Sequence, residues 1–174
     1  MWVFAYGSLV WNPGFEVRDR VIATLSGYHR NFCMRSIHHR GTVDRPGLVL
    51  ALDEARGAQC TGLGLSVARG QEDSVLAYLR ERELVSAAYL EKRLPITLTG
   101  GRRVEAVAYV IDPDHVQYCG GLGLEEQARM IARATGGRGP NTEYLFNTVA
   151  HLRELGVEDE ELDWLVARVR QIVG

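Results

Sequence analysis

Glu72-Asp73-Ser74-Val75-Leu76-Ala77-Tyr78-Leu79-Arg80-Glu81-Arg82-Glu83 is the stretch on which the fold class turns. Val75, Leu76, Leu79 and Arg82 recur at three- and four-residue steps with no internal Gly or Pro, which predicts a helix over 72–83. On either side of it the chain reads as strands. Trp2–Tyr6, the stretch around Val21–Met34, Leu48–Leu52, Cys60–Val67, Leu94–Leu98 and Val104–Ile111 are short, β-branched or aromatic, and separated by Gly, Pro or Asp. The last third is helical in its punctuation. Leu124–Thr135 runs to a Gly136-Gly137 stop, and Asn141–Leu155 ends at Gly156, a residue that tolerates the positive φ of a helix C′ position. Asp159–Val173 carries Leu162, Leu165, Val166, Val169 and Ile172 as one apolar stripe. Strands followed by helices, without regular alternation, predict an α+β domain: a curled or closed mixed β-sheet, a small barrel, with helices packed around it.

The chain's 174 residues fall within one domain's range, and a 46% hydrophobic content suffices for a core without staples, so residues 1–174 are expected to form a single domain. A formal net charge of −2 with dispersed charges leaves no electrostatic footprint for nucleic acid or an anionic membrane, which favours a small-molecule partner. Cys33, Cys60 and Cys119 form no C-x-x-C pair and are odd in number, arguing against both a disulfide framework and a zinc site. The histidines contain no H-E-x-x-H pattern, and the Gly-rich runs 120–123 and 136–139 match no phosphate-binding motif. No metal and no cofactor is expected. No apolar run approaches the roughly 20 residues that span a bilayer, and no signal-peptide pattern opens the chain. The expected location is cytoplasmic; the oligomeric state stays open.

Tyr6-Gly7-Ser8-Leu9 follows the first strand directly, and Trp11-Asn12-Pro13-Gly14 supplies turn chemistry after it. Gly7 lets backbone amides approach a carboxylate or an oxyanion; an ordinary hairpin turn would use the same residues. The run Phe4 to Pro13 is followed by Gly27-Tyr28-His29-Arg30-Asn31-Phe32, Ser36, His39-Arg40-Gly41-Thr42 and Arg45-Pro46-Gly47. Tyr78-Leu79 with Arg82-Glu83, Tyr89, Tyr118-Cys119-Gly120, Leu124 to Ala128 and Gly139 to Leu145 continue the series. In order and spacing, these blocks resemble the ChaC-type gamma-glutamylcyclotransferases across nearly the whole chain.

The resemblance implies a glutathione-specific gamma-glutamylcyclotransferase, which closes the gamma-glutamyl group on itself and releases 5-oxoproline and cysteinylglycine. It implies Glu83 as the catalytic base, and Val3, Phe4, Ala5, Tyr6, Gly7, Ser8, Leu9, Ser36, Arg40 and Tyr118 as substrate-binding residues. Independently, helical geometry puts Glu83 on the face of Leu76 and Leu79 and turns Glu81 about 200° away. An inward carboxylate has its pKa raised by desolvation, as a general base requires. A glutamate ending a helix is also commonly a solvated surface residue. Arg40 reads equally as a fork for a carboxylate and as a pin for its own loop, and Tyr118 as a pocket hydroxyl or a core aromatic. Val85–Leu90 is a candidate lid. The alternatives at this level are a cyclotransferase for other gamma-glutamyl amines or amino acids, a cysteine-dependent amide hydrolase, and a non-catalytic gamma-glutamyl-binding module.

Overall fold

The structure, a computed structural model, describes all 174 residues. It divides into two compact units: residues 1–30 with 51–116, and residues 31–50 with 117–174.

Five strands form a barrel: β1 (Trp2–Ala5), β2 (Val17–Ser36), β3 (Gly47–Val67), β4 (Tyr89–Leu98) and β5 (Arg103–Ile111), of which all but residues 31–36 and 47–50 belong to the first unit. The closed sheet runs β1-β3-β2-β4-β5. β1 closes it, pairing antiparallel with β3, Ala5 opposite Leu63, and parallel with β5, Val3 opposite Val107. Closure removes the unpaired edges an open sheet would present. The short β1 is apolar because its two partners cover it: Val3, Phe4 and Ala5 are fully buried, with Leu65, Leu79, Ile96 and Ala108 in the same core. Between β3 and β4, α1 (Glu72–Glu83) has the bounds its periodicity predicts and buries Val75 and Leu79.

β2 starts four residues before the expected Val21, and two other strands differ more from expectation. Leu48–Leu52 and Cys60–Val67 belong to one strand, β3, which passes through the polar run 53–59. Backbone pairing does not require apolar side chains, so this run alternates half-buried and exposed residues without leaving the sheet. The strand read from Leu94–Leu98 begins earlier, at Tyr89, where β4 meets Ile111 of β5. Tyr89 and Leu90 are therefore ladder residues, and only 85–88 of the candidate lid lies outside regular structure.

The second unit is built on α2 (Leu124–Arg133), α3 (Asn141–Glu154) and α4 (Glu160–Val173). Leu162, Leu165, Val166 and Val169 form the buried stripe of α4, whereas Ile172, in the last turn, is exposed. Asp159 caps α4 by accepting from the Leu162 N–H at 3.1 Å. Gly156, at φ +75°, turns the chain out of α3, and the Val157 N–H donates back to the Leu152 carbonyl. α2 stops at Arg133, two residues short of expectation, because Thr135–Gly136 pair with Gly139–Pro140 in a small ladder. No helix of the chain is long and apolar enough to cross a membrane.

Candidate active site

In the first unit, β1 delivers the chain into a tight turn. Tyr6 is buried and fixed at both ends: its hydroxyl donates to the Tyr109 carbonyl at 3.0 Å, and its carbonyl accepts from the Arg30 Nε at 2.9 Å. Ser8–Val10 form one turn of 3₁₀ helix, in which the Val10 N–H donates to the Gly7 carbonyl. Such a turn finds internal acceptors only from its third residue onward, so the amides of Gly7, Ser8 and Leu9 open it without a partner inside it.

Arg82 reaches this turn from the last part of α1. Its Nη2 donates to the Ser8 Oγ at 3.0 Å, and its Nη1 to the Asn12 and Pro13 carbonyls at 2.6 and 3.3 Å and to the Tyr78 hydroxyl at 3.2 Å. Tyr78 lies four residues before Arg82, the spacing at which helical side chains meet. It packs so closely on Gly14 that a Cβ there would fall 1.9 Å from the tyrosine oxygen. Gly14 also has φ +76°, so both its conformation and its missing side chain are used.

Glu83 ends the same helix with 16% of its side chain exposed, while Glu81 is exposed, as the 200° separation requires. Burial pushes the Glu83 carboxyl above the usual carboxylate range; the Arg82 guanidinium, with Nε 3.4 Å from Oε1, opposes this without reversing it. After Glu83 the chain turns sharply, with Ala87 at φ +55°, a left-handed conformation uncommon for alanine, and Val85 largely in solvent. Farther along, Tyr109 donates to Glu91 at 3.0 Å, and Arg80 grips both Glu91 oxygens at 2.9 Å. Burial and the Glu91 carboxylate hold the Tyr109 phenol in its protonated form, with Glu83 adding to the effect.

The first unit thus brings together Val3 to Leu9, Glu83 and three residues the sequence reading did not single out as site residues: Tyr78, Arg82 and Arg30. For Arg82 the signal was present in its place beside Glu83 and four residues after Tyr78. Its reach to Asn12 and Pro13, some 70 positions away, left no local trace.

Ser36, Arg40 and Tyr118 lie in the second unit. The Ser36 hydroxyl accepts from the Arg40 N–H at 2.9 Å, and the Arg40 Nη1 donates to the Pro140 carbonyl at 3.2 Å and lies 3.7 Å from a Glu143 oxygen. Its guanidinium also covers the Tyr144 ring at 5.8 Å. These contacts pin the loop 37–46. Gly41 belongs to the same arrangement, since a Cβ on it would meet the Gly47 nitrogen at 2.1 Å. Asn141, fully buried, donates to the Leu48 carbonyl and accepts from its N–H, both at 2.8 Å, replacing a neighbouring strand. Tyr118 bridges to Met34, and its hydroxyl packs against Gly120. The thiols of Cys33, Cys60 and Cys119 are all buried, which leaves a cysteine nucleophile no access to an amide.

A family model described as ChaC-like protein matches residues 1–172. The glutathione-specific gamma-glutamylcyclotransferase of Escherichia coli is 36% identical over 173 residues, 99% of this chain and 74% of that protein. Gamma-glutamylcyclotransferase 2-3 of Arabidopsis thaliana is 33% identical over 179 residues, covering 99% of this chain and 90% of the relative. Among solved structures, a gamma-glutamyl cyclotransferase specific to glutathione from yeast superposes with a TM-score of 0.86 at 22% identity, over 100% of this chain and 99% of that one, which establishes the shared fold.

Proposed function

The chain belongs to the ChaC-like family, and from that premise we propose that it is a glutathione-specific gamma-glutamylcyclotransferase, acting in the cytoplasm as one catalytic domain over 1–174. Two of its relatives carry the gamma-glutamylcyclotransferase name, one of them glutathione-specific, at 33–36% identity over 99% of this chain. Support for the single domain comes from the family match, which runs through both compact units. The observation that carries the mechanism is Glu83: a largely shielded carboxylate whose pKa burial raises, on the helix that is fastened to the Tyr6–Leu9 turn.

The reaction needs no external nucleophile. The α-amine of the gamma-glutamyl group attacks its own γ-amide carbon, a C–N bond closes the five-membered ring, and the bond to the cysteine nitrogen breaks. Holding a pre-linked amine over its carbonyl is a proximity effect that contributes roughly 7 kcal/mol or more in the best cases. Glu83 takes a proton from the attacking amine and returns it to the departing nitrogen, so protons balance and no water is consumed. The Gly7 to Leu9 amides face the substrate, and the charge that develops on the γ-carbonyl oxygen is theirs to stabilise. Val3, Phe4 and Ala5 act through the rigidity of β1, which fixes where that turn begins. Ser36 and Arg40 hold the loop 37–46 of the second unit in shape, and Tyr118 keeps its hydroxyl against Gly120 there.

The deciding experiment incubates purified protein with reduced glutathione, beside γ-glutamyl-alanine and beside the Glu83→Gln variant, and identifies products by mass spectrometry. The expected result is 5-oxoproline and cysteinylglycine from the wild type alone, with little from γ-glutamyl-alanine. Turnover of γ-glutamyl-alanine at a comparable rate would broaden the substrate to gamma-glutamyl amino acids. Free glutamate would mean hydrolysis, and glutathione binding without product would mean a binding module.

A further inference from the structure

We propose that Arg82 is a positioning residue for this reaction: its guanidinium fastens the Tyr6–Leu9 turn and the Asn12–Pro13 turn to α1, so that the turn's amides and the Glu83 carboxylate meet the substrate in one fixed geometry. The inference rests on Glu83 being the base.

The geometry separates positioning from substrate binding. An arginine that binds a substrate carboxylate presents its planar fork outward. Here the fork is committed to the protein: Nη1 serves two carbonyls and a phenol, Nη2 serves the Ser8 hydroxyl, and Nε faces Glu83. The carbonyls belong to residues some 70 positions away, whereas Glu83 is the next residue along the helix. One planar group therefore joins the two halves of the site, and three of its four hydrogen bonds, those to Pro13, Tyr78 and Ser8, are part-buried. A lysine could keep the charge but not the fork, since a single ammonium on a flexible stem cannot serve Ser8 and the two carbonyls together. The Arg82 guanidinium acts on the Glu83 carboxyl against its burial, and Glu83 in turn helps keep the Tyr109 phenol of β5 protonated. Tyr109 stays neutral, donating to Glu91, so Arg82 is the charge that matters there.

The test uses Arg82→Lys and Arg82→Gln in the full chain, with turnover normalised to folded protein. Both variants should lose about 10- to 100-fold in kcat, the effect of misplacing reacting groups by about an ångström. Arg82→Lys should keep the wild-type acid limb of the pH–rate profile. Arg82→Gln should move that limb up by about one pH unit, because an opposite charge within about 4–6 Å has been removed. Hydrogen exchange at the Val10 and Asn12 amides, which donate to the Gly7 and Ser8 carbonyls within the 8–12 turn, should quicken about tenfold in both variants, with the α2 amides unchanged. Wild-type kcat in Arg82→Lys, or unchanged exchange in the 8–12 turn, would overturn the proposal. Exchange needs no substrate, so it still reads the fastening if Glu83→Gln retains turnover and the base has to be reassigned.

Discussion

Glu83 and Glu91 stand eight residues apart in the same unit, each beside an arginine, and their carboxyls respond in opposite directions. Arg80 grips both oxygens of Glu91 and Tyr109 donates a third bond, which holds Glu91 below the usual carboxylate range. Glu83 has Arg82 at 3.4 Å, yet burial wins and its carboxyl is pushed up. Both carboxylates have an arginine within 4 Å, at 2.9 and 3.4 Å; what separates them is burial together with what the cation's donors are doing. Arg80 spends its fork on Glu91, while Arg82 spends its own on Ser8, Asn12, Pro13 and Tyr78. The first arrangement makes a satisfied ion pair. The second leaves a desolvated carboxylate able to take a proton, which is what a base needs.

The largest consequence is in turnover. Glu83→Gln should lower 5-oxoproline release by at least about 10²- to 10⁴-fold, the range typical of general acid–base catalysis. Glu91→Gln should stay within about threefold of wild type, an amide oxygen remaining to accept from Tyr109. Rates on folded protein at neutral pH check this, with circular dichroism confirming the fold of each variant. Equal losses in the two variants would mean that the Glu91 cluster belongs to the chemistry as well.

In stability the order reverses. Glu91→Ala strips the buried Tyr109 hydroxyl of its charged acceptor, a change of roughly 1.5 kcal/mol for such a bond, or roughly 3–6 °C in Tm for a chain of this size. The exposed Arg80 adds little, because surface ion pairs are weak. Glu83→Gln should show no such loss. Thermal melts at pH 7 distinguish the two, and a Tm for Glu91→Ala within a degree of wild type would show that the cluster holds nothing in place.

Local periodicity carried the sequence reading a long way here. α1 begins and ends where its three- and four-residue steps predict, and the inward glutamate follows from 3.6 residues per turn. Gly156 and Asp159 mark helix ends through conformations and caps that are written into single residues. Barrel closure was legible only as a class of fold, because β1 meets β5 across about a hundred residues and nothing local to Trp2–Ala5 names that partner. The polar middle of β3 was missed because its pairing is held by backbone, which composition does not report. Arg40 was legible as either a carboxylate fork or a pin for its own loop; the partners that make the pin, Pro140 and Glu143, lie a hundred residues on, so nothing local could choose between the two.

The smallest effect is also the most direct comparison of the two carboxyls, because it reads each one's proton affinity through folding. Glu83 has a folded pKa raised above its ordinary value of 4.5, so the folded state binds its proton more tightly than the unfolded state does. Its stabilising contribution is fully present below about pH 4.5 and is lost as pH rises through the folded pKa. Glu91 has a folded pKa lowered from the same value, so its contribution is present above about pH 4.5 and is lost as pH falls through the folded pKa. Glutamine cannot ionise, so each variant removes one of these dependences. From pH 4 to pH 8, Tm of Glu83→Gln relative to wild type should climb, by an amount of the order of a degree. Over the same range Tm of Glu91→Gln should fall relative to wild type, most steeply at the acid end. Parallel curves would mean that the two carboxyls share one environment, and the contrast between a desolvated base and a satisfied ion pair would fail with them.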